Sequence, residues 1–173
     1  MKDPANAAFE REVLPHLDDA YTLARYLLRD EHDAQDAVQE ASLRAWRYLR
    51  TFAGDDSRAW FLTIVRNCCH TWHAKQRRST ITSDAYEREA AAFSASRSAD
   101  AAAIESSERA FLQQSLGALP LELREVLVLR ELNDLSYREI STIIEAPIGT
   151  VMSRLSRARE RLSRILTGAR EAS

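Results

Sequence analysis

Apolar residues recur at spacings of three and four positions along much of the chain, which is the pattern of amphipathic α-helices. One run begins near Pro15 and ends at Leu28, and a second follows the stretch 30–33, whose three acidic residues suit a helix N-terminus. A third run follows a loop at 51–56 and has Asp56 or Ser57 as its cap. The predicted buried residues of the second helix are Ala34, Ala37, Val38, Ala41, Ala45 and Leu49. Those of the third helix are Trp60, Phe61, Ile64, Val65, Cys68 and Trp72.

The stretch 79–108 breaks this pattern, because it is rich in Ser, Ala, Asp and Glu and has few bulky apolar residues. Such a composition is typical of a linker. Helical spacing returns with predicted helices at about 109–117 and from 120 to 132. We therefore predict an all-α protein of two small helical domains, residues 1–78 and 109–173, joined by a flexible acidic linker.

The C-terminal part predicts a helix-turn-helix. Ser136 and Glu139 have the spacing of a capping box, in which each side chain bonds the other residue's backbone N–H. Three isoleucines then give the helix one apolar edge, and Pro147 ends it because proline cannot continue a helix. A short helix, a tight turn and a second helix are typical of DNA-binding proteins.

The last predicted helix separates into two faces. Val151, Leu155, Ala158, Leu162 and Ile165 form an inward apolar stripe. Small polar residues on the other side let a helix approach base edges, and arginines reach phosphates or guanines. An arginine-rich surface helix without a ligand is the alternative, and the capped partner helix with its turn argues against it. The outer face holds Met152, Ser153, Ser156 and Glu160, flanked by Arg154, Arg157, Arg161 and Arg164.

Charge is distributed in blocks, although the formal net charge is only −2 and excludes a general basic coat. Residues 10–40 carry a balance of −6 and residues 79–108 one of −4, whereas residues 58–78 carry +5 and residues 136–170 carry +4. Two basic blocks separated by acidic sequence indicate two nucleic-acid contacts on one chain. With only four glycines and four prolines, a β-sandwich or barrel is not expected.

Several other classes of protein are not expected. No signal peptide or membrane-spanning stretch is present in the sequence, so we expect a cytoplasmic protein without membrane insertion. The adjacent Cys68 and Cys69 cannot cross-link distant segments, which fits a reducing compartment. Cys69 and His73 share a helical face, but zinc needs about four ligands, so no metal or other cofactor is predicted. Neither a phosphate-binding loop nor a nucleophile–base pattern indicates an enzyme.

The segments 132–140 (LNDLSYREI) and 147–155 (PIGTVMSRL) resemble region four of extracytoplasmic-function sigma factors. The resemblance implies that the last helix contacts the −35 promoter element in the major groove. The positions that match the family's base-contacting residues are Met152, Ser153, Ser156 and Arg157. At the position of Met152 the family commonly has Arg or Lys, so the resemblance does not determine which −35 sequence this protein contacts. Arg154 and Arg161 flank these positions.

The segment 33–41 (DAQDAVQEA) is similar to the family's region two, whose helix docks on the β′ coiled coil of RNA polymerase. The resemblance gives this role to Asp36, Gln39 and Glu40, which lie within about one turn and offer two carboxylates and an amide to a basic surface.

The segments 52–55 (FAGD) and 60–67 (WFLTIVRN) match the family's loop and helix that open the −10 element and hold an extruded base. Asn67 matches the polar residue at the base pocket. The remaining members of this predicted −10 contact are phosphate-binding candidates, namely Arg66, Lys75, Arg77 and Arg78.

Together these resemblances imply a sigma factor that binds core RNA polymerase through its β′ coiled coil and β subunit, contacts promoter DNA, and is held inactive by an anti-sigma factor. A stand-alone helix-turn-helix regulator is the alternative, but residues 1–78 resemble neither a ligand-binding domain nor a dimer seam. A helical adaptor without DNA contact leaves the arginine face unexplained.

Overall fold

The computed structural model describes residues 4–82 and 100–171, and within these ranges the secondary structure is helical, which confirms the all-α prediction. The first half, residues 4–82, contains α1 (Pro4–Glu12), a 3₁₀ turn (Leu14–His16), α2 (Leu17–Leu28), α3 (Glu31–Tyr48), a second 3₁₀ turn (Leu49–Thr51) and α4 (Ser57–Thr82). The second half, residues 100–171, contains α5 (Asp100–Gly117), α6 (Leu121–Leu127), a π-helical turn (Val128–Leu132), α7 (Tyr137–Ile144) and α8 (Ile148–Glu171). None of these helices is both long and apolar enough to cross a membrane.

Side-chain caps fix where α3 and α4 begin. The carboxylate of Asp30 accepts from the Asp33 backbone N–H at 2.9 Å, and that of Asp56 accepts from the Ala59 N–H at 2.8 Å. Pro15 lies in the 3₁₀ turn before α2, so the predicted helix start was two residues early. The sequence pattern did not predict α1.

The core of the first half is formed by α2, α3 and α4. The predicted alanine stripe of α3 is buried, with Val38 and Leu49 half-buried at its edges. On α4 the predicted face is buried or half-buried, but Leu62 and Cys69 are fully buried as well. These two residues lie on a second face of α4, and that face is covered because α4 also packs against α7 of the second half.

The second half packs α6 and α7 against α8. The π-helical turn follows α6 directly, and its wider path is closed by the bond from the Asn133 N–H to the Val128 carbonyl at 3.0 Å. The buried residues of this half include Leu123, Val126 and Val151, together with the three isoleucines of α7.

The two halves pack on each other and share one hydrophobic core. Helix α2 contacts α5, α6 and the π-helical turn, and α4 contacts α7. Helix α4 extends to residue 82, four residues past the predicted domain boundary, and α5 begins at residue 100, inside the predicted linker. The alanines at 101–103 are strong helix formers and fit this early start. The rest of the predicted linker, residues 83–99, lies outside the described residues.

Candidate nucleic-acid interface

The helix-turn-helix is fixed by local sequence. The Ser136 N–H donates to Glu139 at 2.7 Å and the Glu139 N–H donates to the Ser136 hydroxyl at 3.2 Å, which completes the predicted capping box. Helix α7 ends at Ile144, the following residue Glu145 has a left-handed backbone with φ of 54°, and Pro147 comes two residues later. The Pro147 carbonyl then accepts from the backbone of Thr150, so the chain enters α8 without a gap.

The outer face of α8 consists of Met152, Ser153, Ser156 and Arg157, and all four side chains are exposed. The Met152 side chain is 54% exposed, so this apolar residue is accessible beside the polar members of the face. The Arg157 side chain donates to the Ser153 carbonyl at 3.4 Å, and within the described residues it forms no ion pair. The structure therefore brings the four predicted base-contacting residues together on one open surface.

The other arginines of α8 differ from Arg157 in their partners. Arg154 is only 19% exposed and lies 3.5 Å from Glu122 and 3.6 Å from Glu125. Arg159 pairs with Glu131 of the π-helical turn, and Arg161 is exposed. Of the two predicted flanking residues, Arg161 is thus open to a ligand, whereas Arg154 is turned toward α6.

The predicted −10 contacts divide between two faces of α4. Asn67, Lys75, Arg77 and Arg78 are exposed, and Asn67 keeps its side chain in solvent while its carbonyl accepts from the Thr71 hydroxyl. Near the start of α4, Trp60 is half-buried and packs on Phe52 with ring centroids 4.7 Å apart. The loop residue Gly54 lies so close to Phe52 that a Cβ would stand 3.1 Å from the ring.

Arg66 lies on the inner face of α4 and contacts Glu125 of α6. Its Nε and Nη2 donate to the two carboxylate oxygens at 2.9 and 3.1 Å, and Nε2 of His70 lies 2.8 Å from the same carboxylate. We call Arg66, His70, Glu125 and Arg154 the Glu125 cluster. Its central carboxylate is fully buried and Arg66 retains 15% exposure. Arg66, a predicted phosphate contact, therefore faces the second half of the protein in this arrangement.

Burial alone would raise the pKa of Glu125, but hydrogen bonds from His70 and Arg66, together with their charges, outweigh it and hold this pKa below its ordinary value. Glu125 is thus a stable anion inside the protein. The sequence did not indicate this cluster, because Glu125 is 59 residues from Arg66 and 55 from His70.

A second set of bonds ties the halves together beside the Glu125 cluster. Arg124 donates to four backbone carbonyls, those of Leu27, Leu116, Gly117 and Leu119. Burial, with a smaller effect from the charge of Arg29, lowers the pKa of Arg124 to about 10, so it remains charged at neutral pH.

A third contact lies where α2 meets the π-helical turn. The Asn133 amide donates to the Asp19 carbonyl at 3.1 Å and to its carboxylate at 3.2 Å. The guanidinium of Arg58 donates to the same carboxylate and to the Asn133 carbonyl. The junction between the halves is therefore polar as well as apolar.

The predicted polymerase-binding residues Asp36, Gln39 and Glu40 are exposed together on α3. Glu40 pairs with Arg44 one turn later at 2.7 Å, and this hydrogen bond lowers the pKa of Glu40. Leu43 lies on the same face and is 50% exposed, so an apolar residue extends the acidic surface. The three-and-four spacing from Asp36 to Leu43 was available in the sequence as a signal for this extension.

An apolar groove of about 810 Å³ lies on the second half between α5, the π-helical turn and α8. Its walls include Phe111 and Leu132, which are partly exposed, and Leu162 and Leu166 of α8. The pair Glu131–Arg159 stands at its polar edge. This groove could not be inferred from the sequence, because its walls come from four separate elements, α5, α6, the π-helical turn and α8.

The surroundings of the two cysteines make them chemically unreactive. Cys68 and Cys69 are both buried, and burial raises the pKa of Cys69 to about 12, far from a thiolate at neutral pH. His73 bonds the Leu27 carbonyl with its Nε2 at 2.9 Å. No group of three potential ligands capable of holding a metal ion occurs in the described ranges.

Comparison with known families gives two matches, in the order of the two halves. Residues 13–79 match Sigma-70 region 2, and residues 112–162 match Sigma-70, region 4. The RNA polymerase sigma-H factor of Pseudomonas aeruginosa is 34% identical over 168 residues, covering 92% of this chain and 86% of its own. The ECF RNA polymerase sigma-E factor of Escherichia coli is 35% identical over 135 residues, covering 74% and 71%.

Two solved structures resemble the fold across both halves. The sigma factor RpoE of Bartonella quintana, solved with the anti-sigma factor NepR, has a TM-score of 0.76 at 28% identity and covers 92% of this chain and 96% of its own. CnrH, solved with the cytosolic domain of CnrY, has a TM-score of 0.67 at 26% identity, with 95% of each chain covered. By sequence, domain order and fold, this chain belongs to the extracytoplasmic-function sigma factors of RNA polymerase.

Proposed function

We propose that this protein binds core RNA polymerase, directs it to promoters by contacting their −35 and −10 elements, and promotes opening of the DNA. The observation that carries the proposal is the open face of α8, where the side chains of Met152, Ser153, Ser156 and Arg157 lie together and exposed on a capped helix-turn-helix. In this proposal the polymerase carries out RNA synthesis and the protein is not itself an enzyme. The protein acts in the cytoplasm, where the polymerase is found.

The −10 contact belongs to the outer face of α4. Opening a duplex costs roughly 1.4 kcal/mol per stacked step. Capture of one extruded base offsets this, since stacking on a protein surface contributes about 1–3 kcal/mol per base. Asn67 supplies hydrogen-bonding groups for such a base, and Lys75, Arg77 and Arg78 extend the same helix with positive charge for the phosphates.

Polymerase docking belongs to α3 and to the apolar groove. Asp36, Gln39, Glu40 and Leu43 offer acidic groups with an apolar neighbour to the β′ coiled coil. The groove suits an apolar helix, from the β subunit of polymerase or from an anti-sigma factor. An anti-sigma partner is also supported by the structures of RpoE with NepR and of CnrH with the cytosolic domain of CnrY.

Reconstituted transcription tests the proposal. Core polymerase from the source bacterium is incubated with its genomic DNA, with and without the protein, and RNA 5′ ends are sequenced. We expect a set of start sites that requires the protein and shares −35 and −10 motifs. No protein-dependent start sites, with the protein folded by circular dichroism, would contradict it.

Two substitutions separate the DNA-contacting faces. Arg157→Ala should weaken the closed complex by about tenfold to a hundredfold, because a bidentate base contact contributes about 1–3 kcal/mol. Asn67→Ala should leave closed complexes near normal and reduce permanganate-reactive open ones. Arg11→Ala, which removes the same charge from the exposed surface of α1, and Gln114→Ala, which removes an exposed amide on α5, are the matched controls. The reverse pattern of defects would overturn this assignment.

A stand-alone helix-turn-helix regulator predicts the opposite behaviour in the absence of polymerase. One small helix-turn-helix makes few base contacts, and we expect free-chain affinity for promoter DNA near the non-specific range of about 10⁻⁴–10⁻⁶ M. A tight sequence-specific complex of the isolated chain would favour the regulator instead.

A further inference from the structure

The first turns of α8 present apolar side chains beside the surface that the proposed function assigns to the −35 element. Ile148 is 43% exposed and Met152 is 54% exposed, and they lie four residues apart, so their side chains are neighbours along one side of the helix. Gly149 lies three residues before Met152 and four before Ser153, on the same outer face. We call Ile148, Gly149 and Met152 the apolar corner of α8.

The described part of the chain gives no internal reason for a glycine at position 149. The φ of Gly149 is not positive, so other residues could adopt its backbone conformation. Apart from the adjacent residues and the backbone of its own helix, no described atom lies within 4 Å of a Cβ placed there. A side chain would therefore fit, and alanine favours a helix more than glycine does. The bare backbone at Gly149 instead suits the close approach of another molecule.

Met152 can contact the edge of a base through apolar atoms and a weakly accepting sulfur. Its thioether has no donor, so it cannot make the paired hydrogen bonds by which Arg or Lys recognises guanine. The apolar group that a base pair offers in the major groove is the 5-methyl of thymine. The three rotatable bonds of methionine let its side chain pack around such a group. The chemistry of the apolar corner therefore matches a thymine.

We propose that the apolar corner contacts the methyl group of one thymine in the −35 element, while Arg157 contacts a guanine nearby. The inference rests on the proposed function, because it takes the outer face of α8 to lie in the major groove. The five positions from Met152 to Arg157 span about 7.5 Å of helix, or about two base pairs at about 3.4 Å each. Arg or Lys at position 152 would instead favour a second guanine.

Deoxyuridine tests the methyl contact, because it lacks the 5-methyl of thymidine and keeps the same hydrogen-bonding groups. Each thymine of the −35 element, on either strand, is replaced in turn in a promoter that the reconstituted polymerase uses, and closed complexes are measured by footprinting. At one position we expect about fourfold weaker binding, the factor for one methyl group lost from an apolar contact. A −35 element without such a position, or without a thymine, would overturn the proposal.

A double-mutant cycle assigns the contact to Met152. In polymerase that carries Met152→Ala, replacing the sensitive thymine should weaken binding by less than about twofold, because the apolar partner of the methyl group is gone. The control Leu14→Ala removes a side chain that is 43% exposed in the 3₁₀ turn of the first half, and it should keep the full fourfold effect. A loss of about twofold or more that persists in Met152→Ala would overturn the role of Met152.

Gly149→Ala tests the close approach of DNA independently. The variant should unfold at the same urea concentration as the wild type or a higher one, because alanine favours the helix. Its closed complexes should nevertheless be severalfold weaker, because the added methyl group stands between α8 and the groove. Gly168→Ala is the matched control, since a Cβ there also meets open space on α8, and it should leave closed complexes unchanged. Wild-type binding by Gly149→Ala would overturn the close approach.

Failure of the proposed function is visible in a different experiment. If the wild-type chain gives no protein-dependent start sites, the proposed function is wrong, and no −35 element exists to be tested. If start sites appear but deoxyuridine is bound as well as thymidine at every −35 position, the thymine contact alone is wrong.

Discussion

The outer face of α8 and the Glu125 cluster both draw on arginines from the basic blocks, but they differ in burial and in partners. Arg157 is exposed and, among the described residues, donates to a carbonyl of its own helix, whereas Arg66 makes two bonds to a fully buried carboxylate. The guanidinium of Arg157 is therefore available to a ligand, whereas that of Arg66 is already bound to a carboxylate inside the protein. A run of positive charge in a sequence therefore locates a candidate binding surface, and the packing of the chain decides which of its arginines are accessible to a ligand.

The largest difference in the free energy of unfolding should appear between removal of a buried carboxylate and removal of an exposed one. Glu125→Ala leaves Arg66 and His70 without their acceptor, and we expect the free energy of unfolding to fall by about 3 kcal/mol. Urea denaturation followed by circular dichroism measures this. Glu131→Ala, which breaks the exposed pair with Arg159, should cost below about 1 kcal/mol. Equal losses in the two variants would erase the distinction between buried and exposed pairs.

Arginine geometry gives the next largest effect. Arg124→Lys keeps a positive charge, but an ammonium has three donors on a single atom and cannot reach four carbonyls that match a planar guanidinium. We expect a loss of about 2 kcal/mol in urea denaturation, because the carbonyls of Gly117 and Leu119 would lose the guanidinium donor that they share. Arg159→Lys at the exposed pair is the control. A tolerated Arg124→Lys would show that charge alone sustains the junction.

The cap of α7 should have a smaller effect. Ser136→Ala removes the hydroxyl that accepts from the Glu139 N–H, and loss of such a cap costs about 1 kcal/mol. Ser153→Ala, on the outer face of α8, removes an exposed hydroxyl that donates to the Thr150 carbonyl, and should leave the urea midpoint nearly unchanged. A larger loss for Ser153→Ala would mean that the outer face also contributes to folding.

The smallest effect should be that of mild acid. The pKa of Glu125 lies below its ordinary value of about 4.3, so its contribution to stability is complete above about pH 5 and is lost as pH falls through the lowered pKa. Glu125 faces Arg66, His70 and Arg154, with Glu122 also near Arg154. The stability difference between wild type and Glu125→Gln, from urea titrations, should shrink between about pH 5 and pH 3. A difference that grows in acid would contradict the lowered pKa.

Features that depend on neighbours in the sequence were predictable. The alanine stripe of α3, the capping box at Ser136 and the open face of α8 all arise from residues within a few helical turns. The helix-turn-helix could be located for the same reason, because caps and turns act over three or four residues.

Features that depend on contact between distant segments were not predictable from one sequence. Leu62 and Cys69 are fully buried because α4 is covered on a second side by α7. The position of Arg66 could not be inferred, since its partner lies 59 residues away. Helix α1 was missed because it is short and buries none of its own residues fully, and Phe9 packs edge-on against Trp46, 37 residues later in the chain. Roles assigned to single residues at the DNA and polymerase surfaces remain predictions.

The π-helical turn at Val128–Leu132 sets the angle by which the residues after it are rotated about the helix axis relative to the residues of α6. A π turn closes over five residues where an α-helix closes over four, and each residue of an α-helix advances the chain by about 100°. Glu125 lies before this turn and Asn133 immediately after it, and both face the first half. Deleting one residue here would turn α7 and α8 by about a quarter turn relative to α6, and α6 would then no longer meet α8 with the same face. The length of this turn therefore keeps the helix-turn-helix in register both with α6 and with the first half.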